Sequence, residues 1–482
     1  MEPKRDNDTP TSESNPTDAK DIYTTAIEPA GDEKHAAAEA LPDRDGVFGE
    51  LDDQAKEYRS LTAWGAFMIM TKANLGVGVL AIPGVFHSVG LVPGYVLIIG
   101  LCAMMTFAVS YIGPFKRRHP ECYSVADALY LVWGPAGRDI MAFQFCIGKI
   151  SAIASFLVSI ATCLNAITVH GACTAVFIAV AAVVGFLLSS IRTLHKVSWL
   201  AWVGVVSISV GLLVVTIAVG IQDRPAAAPR TGPWDKDLRI FANPSFTQCI
   251  SSITTIIFSY SATPTFFSVL CEMKEPRKYQ RVMLASQGLM CVIYLVIGTL
   301  FYYYCGQYVS SPSLGSAGPL TKRISYGLVL PALLVSLCIW THIIAKFLFV
   351  RILFGTYDLT HPTKKHYIVW LSINFVSTLL GYLFASAIPI FSVIVSFIGA
   401  TCSTPGTLLP FPIMWWHDEW RRRPWAERKP KLATAIVYLT MVLFACTIIV
   451  SGTYSSIKQI INAKATNGPW TCADNSNSVP KK

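Results

Sequence analysis

Apolar runs of about 20 residues recur along this 482-residue chain and are separated by polar stretches. A run of that length is what an α-helix needs to cross the hydrocarbon core of a bilayer. The runs are continuously apolar rather than alternating, which excludes a membrane β-barrel and leaves helices as the way to satisfy the backbone in lipid. The sequence therefore predicts an all-α integral membrane protein with about 11 transmembrane helices. The predicted spans lie near residues 61–90, 91–113, 140–167, 172–191, 197–221, 246–270, 283–305, 324–350, 366–386, 387–413 and 432–456.

The charges agree with a membrane protein and orient it. Only 14% of the residues are charged, against about 25% in a soluble protein. With the N-terminus in the cytoplasm, 19 Lys and Arg residues fall in the inner loops and 6 in the outer loops. Membrane proteins show this excess of positive charge on the cytoplasmic side. We therefore expect a cytoplasmic N-terminus, and an odd number of spans then places the C-terminus outside.

Composition divides the chain into three regions. Residues 1–60 hold 16 of the 29 acidic residues, so we expect residues 1–58 to form a disordered cytoplasmic tail. No apolar signal-peptide core lies near Met1. The transmembrane domain is expected at 59–457, with repeat one at about 61–221, repeat two at about 246–413 and an eleventh helix at about 432–456. Residues 458–482 are expected to form a C-terminal tail.

The net charge of +10 does not indicate nucleic-acid binding, because the basic residues are scattered without a stripe of stacking aromatics. The basic segment 421–431 has two interpretations, contact with anionic lipid headgroups and a plain positive inner loop, and we favour the second. The 13 cysteines include no CxxC pair, and their spacing supports neither a metal site nor a disulfide. We expect them to pack as small apolar side chains, and we expect no cofactor.

The first and sixth predicted spans are both interrupted near the middle. In the first, NLGVGVLAIPG (Asn74–Gly84) places two glycines and a proline inside a membrane helix, where each weakens helical structure. In the sixth, FSYSATPTFF (Phe258–Phe267) surrounds Pro264 with hydroxyl side chains, which can bond backbone groups that a proline frees. If the repeating unit is five spans, the two breaks occupy matching positions in halves of opposite orientation. That arrangement is the sequence signature of a transporter binding site.

The two breaks together suit a zwitterion. The N-terminus of a half-helix favours a carboxylate, and its C-terminal carbonyls favour an ammonium. Gly76 and Gly78 let the backbone leave helical geometry, and Pro83 is expected early in the half-helix that restarts after Val79. Plain helix packing or a simple kink is the alternative interpretation of either break taken alone.

These residues carry a family resemblance. NLGVGVLAIPGVFHSVGLVPG (Asn74–Gly94) and FSYSATPTFFSVLCEMKEPRKYQRVM (Phe258–Met283) resemble the first and sixth spans of the amino acid/auxin permease family of transmembrane amino acid transporters. The resemblance covers roughly residues 60–456 and is greatest for the fungal branch that carries neutral and aromatic amino acids. It implies a five-plus-five inverted repeat of the LeuT-like type, discontinuous first and sixth helices, an eleventh helix, and secondary active transport driven by an ion gradient. The more specific motif, at the end of the sixth span, consists of Glu272, Met273, Lys274, Pro276 and Tyr279.

The resemblance also implies the substrate site, position by position. The first-span break should hold the substrate carboxylate, the sixth-span break should contact its amine, and the third and eighth spans should shape the pocket. For each pocket residue, core packing is the alternative. The residues are Asn74, Leu75, Gly76, Val77 and Gly78 in the first span, Ser259, Tyr260, Ser261, Ala262 and Thr263 in the sixth, Phe145, Ile150 and Ile153 in the third, and Trp340 and Thr341 in the eighth.

Ionisable residues inside the spans are candidates for ion coupling. Lys72, Lys149, Lys346 and His342 lie there, at a cost of at least ~2.5–3.5 kcal/mol each, although a lysine can also snorkel to the interface. His342 and Lys346 share a helical face. In the implied fold the eighth span lies beside the first break, where sodium-coupled relatives keep a sodium site, and an ammonium there would repel sodium. We expect proton coupling or simple exchange, with Glu272 either as a second coupling group or as a residue that positions the inner loop.

Other functions are weaker. A membrane enzyme would need a metal-spaced cluster or a nucleophile motif, and none can be placed. A non-transporting amino acid sensor on the same fold, and a transporter of another small cation or a nucleobase, remain alternatives. We expect a monomer that contacts membrane lipid, amino acid substrate and protons, in the plasma membrane or the vacuolar membrane.

Overall fold

The computed structural model describes residues 44–45, 49–50, 61–190, 194–229, 231–353, 356–359, 363–463, 468–476 and 478. Most of the predicted N-terminal tail lies outside the described residues, so its disorder stays a prediction.

Helices dominate the described chain, apart from one two-residue antiparallel pair, β1 (Arg44–Asp45) and β2 (Gly49–Glu50). The helices are α1 (Ala63–Asn74), α2 (Val77–Val89), α3 (Leu91–Ser110), α4 (Ile112–Arg118), α5 (Val125–Thr168), α6 (Thr174–Ser189), α7 (Leu194–Ile221), α8 (Phe246–Ser259), α9 (Phe266–Glu272), α10 (Tyr279–Cys305), α11 (Pro319–Leu353), α12 (Lys364–Ala387), α13 (Phe391–Ile398), α14 (Thr404–Leu408), α15 (Pro410–Trp415), α16 (Trp425–Arg428) and α17 (Leu432–Ala463).

The helices reproduce the predicted membrane spans. Among the described residues, nine helical runs are long and apolar enough to cross a bilayer, and α1 with α2 forms one further crossing, the first span, which is bent by 51°. The shorter apolar helix α6 has 16 residues and coincides with the predicted span at 172–191. The all-helical membrane fold is thus confirmed. The tenth span is not one regular helix, because the π-helical segment Gly399–Ser403 separates α13 from α14.

The first span breaks over fewer residues than predicted. Helix α1 ends at Asn74, Leu75 and Gly76 leave helical geometry, and α2 already begins at Val77. Pro83 therefore lies inside α2 rather than in its first turn, which corrects the sequence-based expectation. A proline in a membrane helix is tolerated where neighbouring helices cover the backbone groups that it frees, and the chain around Pro83 is buried.

The sixth span breaks at the predicted place. Helix α8 ends at Ser259, a turn follows through Ala262, the segment Thr263–Thr265 forms a 3₁₀ turn, and α9 resumes at Phe266. The proline stands inside this 3₁₀ turn, where its missing N–H removes no α-helical hydrogen bond. The short α9 then runs to Glu272.

The start of the first span and the end of the sixth span are joined by backbone hydrogen bonds at a distance from the breaks. The backbone N–H of Leu61 donates to the Glu272 carbonyl at 3.1 Å, and the Lys274 N–H donates to the Leu61 carbonyl at 2.9 Å. We call this end of the helix bundle the Glu272 end. The chain that enters α1 is therefore held directly against the exit of the sixth span.

An ionic cluster at the same end joins the second and tenth spans. His119, just after α4, contacts both carboxylate oxygens of Asp418 at 3.1 Å, and Arg118 pairs with Glu419. Burial opposes the charged imidazolium of His119, but its bonds to Asp418 and Glu121 prevail and raise its pKa from 6.5 to about 9. The stabilisation from this proton is fully present below pH 6.5 and is lost as the pH rises through about 9.

The opposite end carries a disulfide between Cys173 and Cys472, so the expectation that the cysteines pack as small apolar side chains was wrong for these two. The two residues are 299 positions apart, and only the fold brings them together. The segment after α17 returns onto the bundle, where Thr174 Oγ1 donates to the Ala473 carbonyl at 2.7 Å and the Trp470 N–H donates to the Ser386 carbonyl at 2.9 Å. Helix α17 itself continues to Ala463, beyond the predicted start of the tail.

Candidate functional site

The two breaks touch each other directly. Gly78, in the first turn of α2, lies against Ser259, the last residue of α8. A Cβ atom on Gly78 would lie 2.6 Å from Ser259 Oγ and 2.7 Å from Ser259 Cα, distances that real Cβ atoms do not adopt. Glycine is therefore required at position 78 for the two half-helices to meet, which is the close backbone approach that its lack of a side chain permits.

One hydroxyl group bridges the two breaks. Tyr294 Oη, from α10, lies 2.9 Å from the carbonyl oxygen of Asn74 and 2.9 Å from that of Ser259. Both carbonyls lie at the ends of helices, where intrahelical partners are missing. A phenol has one proton to donate, so Tyr294 serves the two carbonyls in turn or shares its proton between them. This fully buried side chain thus couples the first span to the sixth through the seventh.

Two unpaired polar atoms lie beside the first break, on Asn74 and Gln287. Asn74 Nδ2 donates to Gln287 Oε1 at 3.0 Å, whereas Asn74 Oδ1 and Gln287 Nε2 are buried and have no partner within the described chain. Each unpaired buried group costs about 1–3 kcal/mol. A ligand carrying both a donor and an acceptor would satisfy the pair, as expected beside a binding site.

Replacing Tyr294 with phenylalanine is expected to reduce transport about tenfold, because two buried carbonyls lose their shared donor. Uptake by purified, reconstituted protein measures the effect. Tyr303→Phe is the matched control, since Tyr303 lies on the exposed face of the same helix and should behave as wild type. Equal uptake by Tyr294→Phe and wild type would show that the bridge has no role in the cycle.

Lys72 supplies a cation beside the first break. Its Nζ donates to Ser336 Oγ at 2.8 Å, to the Leu75 carbonyl at 3.2 Å and to the Ala332 carbonyl at 3.4 Å. The side chain is buried, and no carboxylate of the described chain forms an ion pair with it. The ammonium is therefore held by oxygen atoms from the first-span break and from α11, the eighth span, in the manner of a bound monovalent cation.

The two predicted coupling residues of the eighth span, His342 and Lys346, do not lie beside the first break. Lys346 pairs with Glu272 at 2.9 Å, and Tyr123 Oη donates to the same carboxylate at 3.0 Å. His342 packs against the ring of Trp370 at 5.0 Å between ring centroids, and neither ring nitrogen has a hydrogen-bond partner among the described residues. The ammonium beside the first break thus belongs to the first span rather than the eighth, which corrects the expectation for Lys346. Ion coupling by Lys72, Lys149, His342, Lys346 or Glu272 stays a prediction.

A small cavity of about 30 Å³ opens beside the sixth-span break. Four of the predicted site residues line it: Phe145, Lys149, Ser261 and Trp340. Its complete lining is Gln144, Phe145, Gly148, Lys149, Ala152, Ser261, Pro264, Trp340, Ile398, Cys402, Ser403, Gly406 and Thr407. The tenth span, which supplies the last five of these, was not predicted to contribute.

Other predicted residues do not line this cavity. The first-break residues 74–78 are buried against neighbouring helices. Phe156 lies next to Gly76, and its ring is 6.3 Å from that of Trp340, so the two rings stand between the first break and the cavity. Ile150 and Thr341 are not part of the lining, and Ile153 packs against Gly381 of the ninth span.

Three residues that contact the breaks or Lys72 were missed, namely Gln287, Tyr294 and Ser336, although the sequence carries a signal for two of them. Gln287 and Tyr294 are polar or amphipathic residues two helical turns apart in the seventh span, so both face the same side. Ser336, which holds Lys72, could not be distinguished from other serines of the span interiors.

Comparison with known proteins agrees with this geometry. Residues 59–455 match the family described as transmembrane amino acid transporter protein. A transmembrane transporter of Gibberella moniliformis is 34% identical over 436 residues, which are 90% of this chain and 91% of that protein. The N amino acid transport system protein of Neurospora crassa is 29% identical over 415 residues, which are 84% of this chain and 87% of that protein.

Solved transporters share the fold. The structure of MhsT in complex with L-phenylalanine aligns with a TM-score of 0.51 and 12% identity over 81% of this chain and 98% of that one. A nucleobase-cation-symport-1 family transporter, in a closed conformation with bromovinylhydantoin bound, aligns with a TM-score of 0.53 and 14% identity. The alignment covers 88% of this chain and 96% of that one. At these identities the likeness concerns the fold alone.

Proposed function

This chain belongs to the transmembrane amino acid transporter family, and from that premise we propose that it carries neutral and aromatic amino acids by alternating access, coupled to protons. The family consists of transporters rather than enzymes, and the chain is a multi-pass integral membrane protein. The observation that carries the proposal is the direct contact of two broken helices, bridged by Tyr294, beside a buried ammonium.

The breaks are the proposed site for the zwitterion. The free N–H groups at the start of α2, with residues Asn74 to Gly78, bind the carboxylate. The carbonyls at the end of α8 and the turn that follows, residues Ser259 to Thr263, bind the amine. Asn74 Oδ1 and Gln287 Nε2 offer an unpaired acceptor and donor at the same place.

The cavity supports a substrate without a cationic side chain. Its walls combine the rings of Phe145 and Trp340 with uncharged polar groups and the ammonium of Lys149. No carboxylate is among the residues that line it. Apolar and aromatic side chains fit such walls, whereas a basic side chain meets no counter-charge.

Lys72 supports proton coupling. An ammonium that belongs to the chain itself and lies among the oxygen atoms of Leu75, Ala332 and Ser336 excludes a sodium ion from the same place by charge and by volume. Unlike sodium, a lysine side chain can release and regain a proton in place. The protonated side chain of Lys72 then holds the first break against the eighth span through these hydrogen bonds, and deprotonation weakens them.

Uptake by reconstituted protein tests the proposal. In sodium-free buffer, labelled neutral amino acid should accumulate when the external pH is lowered, and unlabelled neutral and aromatic amino acids should compete. Uptake that requires sodium and ignores pH would exclude proton coupling. Ligand binding without uptake would favour a sensor, and competition by nucleobases alone would favour a nucleobase carrier.

The orientation is part of the proposal: N-terminus in the cytoplasm, Glu272 end facing inwards, and the chain acting as a monomer in the plasma membrane. The excess of basic residues on the Glu272 side supports it, as does the disulfide at the opposite end, since disulfides persist in oxidising compartments.

A thiol-labelling experiment tests the orientation. After reduction, a membrane-impermeant maleimide added to intact cells should label Cys173 and Cys472, and the double serine variant should lose that label. Labelling that appears only after the membrane is permeabilised would reverse the orientation or place the protein in an internal membrane. Microscopy of a tagged chain separates those two outcomes.

A further inference from the structure

The ammonium of Lys149 lies between two aromatic rings, those of Phe145 and Trp340, which we call the aromatic box. Its Nζ lies 4.0 Å from the ring centroid of Trp340 and 4.8 Å from that of Phe145. Only 4% of the residue is exposed, yet it lines the cavity. No carboxylate or hydrogen-bond acceptor pairs with it in the described part of the chain. The ring faces, with their negative potential, are therefore its main partners.

Two aromatic faces around a small cavity form a cation site, and in this protein the chain's own lysine fills it. The rings come from α5 and α11, the third and eighth spans, and the lysine extends from α5 into the space between them. The other lining side chains, among them Gln144, Ser261 and Thr407, carry no charge. A second cation that entered the cavity would meet the first without any carboxylate to neutralise it.

We propose that Lys149 determines substrate specificity: it occupies the aromatic cation site itself and thereby excludes amino acids with cationic side chains. This inference rests on the proposed function, since it takes the cavity beside Ser261 as the place of the substrate's side chain. A lysine substrate carries the same four methylenes and ammonium as Lys149, so the two compete for one position. Removal of Lys149 then converts an excluded substrate into one that the site accepts.

The test compares uptake of L-lysine with uptake of L-norleucine, which has the same chain length without the charge, by the purified full-length protein in liposomes. Wild type should take up L-norleucine and little L-lysine. Lys149→Ala should raise the ratio of L-lysine to L-norleucine uptake by about tenfold or more, because the empty box accepts the ligand's ammonium. Lys149→Met, which fills the box without charge, should give a smaller rise.

Two controls separate charge from general damage. Lys149→Arg keeps a cation in the box and should exclude L-lysine as wild type does. Lys278→Ala removes an exposed lysine and should leave the ratio unchanged. Size-exclusion chromatography identifies variants that fail to fold, and each of the two neutral variants suffices if the other is lost.

The outcomes distinguish the role of Lys149 in specificity from the proposed transport function. An unchanged ratio in a folded Lys149→Ala or Lys149→Met protein overturns the role of Lys149 while amino acid transport stands. Equal uptake of both amino acids by wild type also overturns it. If neither wild type nor any variant transports, the proposed function fails. Thermal-shift measurements with the same two amino acids then test the specificity. Equal shifts with wild type and Lys149→Ala then overturn it.

Discussion

Replacing Lys72 with glutamine is expected to remove most of the accumulation driven by a pH gradient. The amide can still donate hydrogen bonds to the oxygen atoms of Leu75, Ala332 and Ser336, but it cannot release or regain a proton near neutral pH. Hydrogen bonds to a charged group contribute about 1.5–3 kcal/mol each, so the link between the first break and the eighth span also weakens. We expect sodium-free, pH-driven uptake to fall roughly ten- to hundredfold.

Exchange supplies the decisive second measurement for Lys72. Exchange of internal unlabelled for external labelled amino acid needs alternating access but no net proton movement, so Lys72→Gln should retain it at a reduced rate. Ser336→Ala removes one oxygen from the ammonium and should slow uptake while preserving its pH dependence. Lys278→Gln, on the exposed surface, should behave as wild type. Full pH-driven accumulation by Lys72→Gln would contradict the assignment.

The second large effect is expected from Gly78→Ala. Adding one methyl group at this position places a carbon 2.7 Å from Ser259 Cα, which is backbone and cannot rotate away. The two half-helices must separate, and overpacking of this kind costs about 1–3 kcal/mol. Separation also lengthens the bridge from Tyr294 to the carbonyls of Asn74 and Ser259. We expect at least a tenfold loss of uptake and a lower unfolding temperature.

Gly84 provides the matched control in the same helix. A Cβ atom there meets nothing within 4 Å, so the same Gly→Ala change has room. Alanine is favoured over glycine in a helix interior by about 1 kcal/mol. Gly84→Ala should therefore transport normally and unfold at an equal or higher temperature. If both variants transport equally, close contact between the breaks is not required for function.

The conformation explains why the cavity reaches only one break. Phe156 and Trp340 lie between Gly76 and the cavity. At the Glu272 end of the bundle, the backbone of Leu61 and the ammonium of Lys346 both bind Glu272. Movement of these two rings would join the cavity to the first break. In the proposed cycle this movement admits the side chain of the substrate.

The sequence determined the architecture to a large extent. Continuous apolar runs are sufficient to predict membrane helices, because lipid offers no partner for an unpaired backbone group. The positions of Gly76 and Pro264 also predicted where two of the helices break, since these residues act on their own backbone. Local chemistry of this kind can be recognised without knowing which helices are neighbours.

Contacts between helices were decided by the tertiary structure alone. The sequence showed three lysines inside the predicted spans but could not assign them, and the fold places Lys72 among oxygen atoms, Lys149 between aromatic rings and Lys346 beside Glu272. The disulfide joins cysteines 299 residues apart, and Tyr294 joins two breaks from a third span. An apolar helix buries any of its faces equally well in lipid, so the pattern of apolar residues leaves its rotation and its partners open. Packing against the other spans selects one arrangement, and only then does each polar side chain acquire its partner and its chemistry.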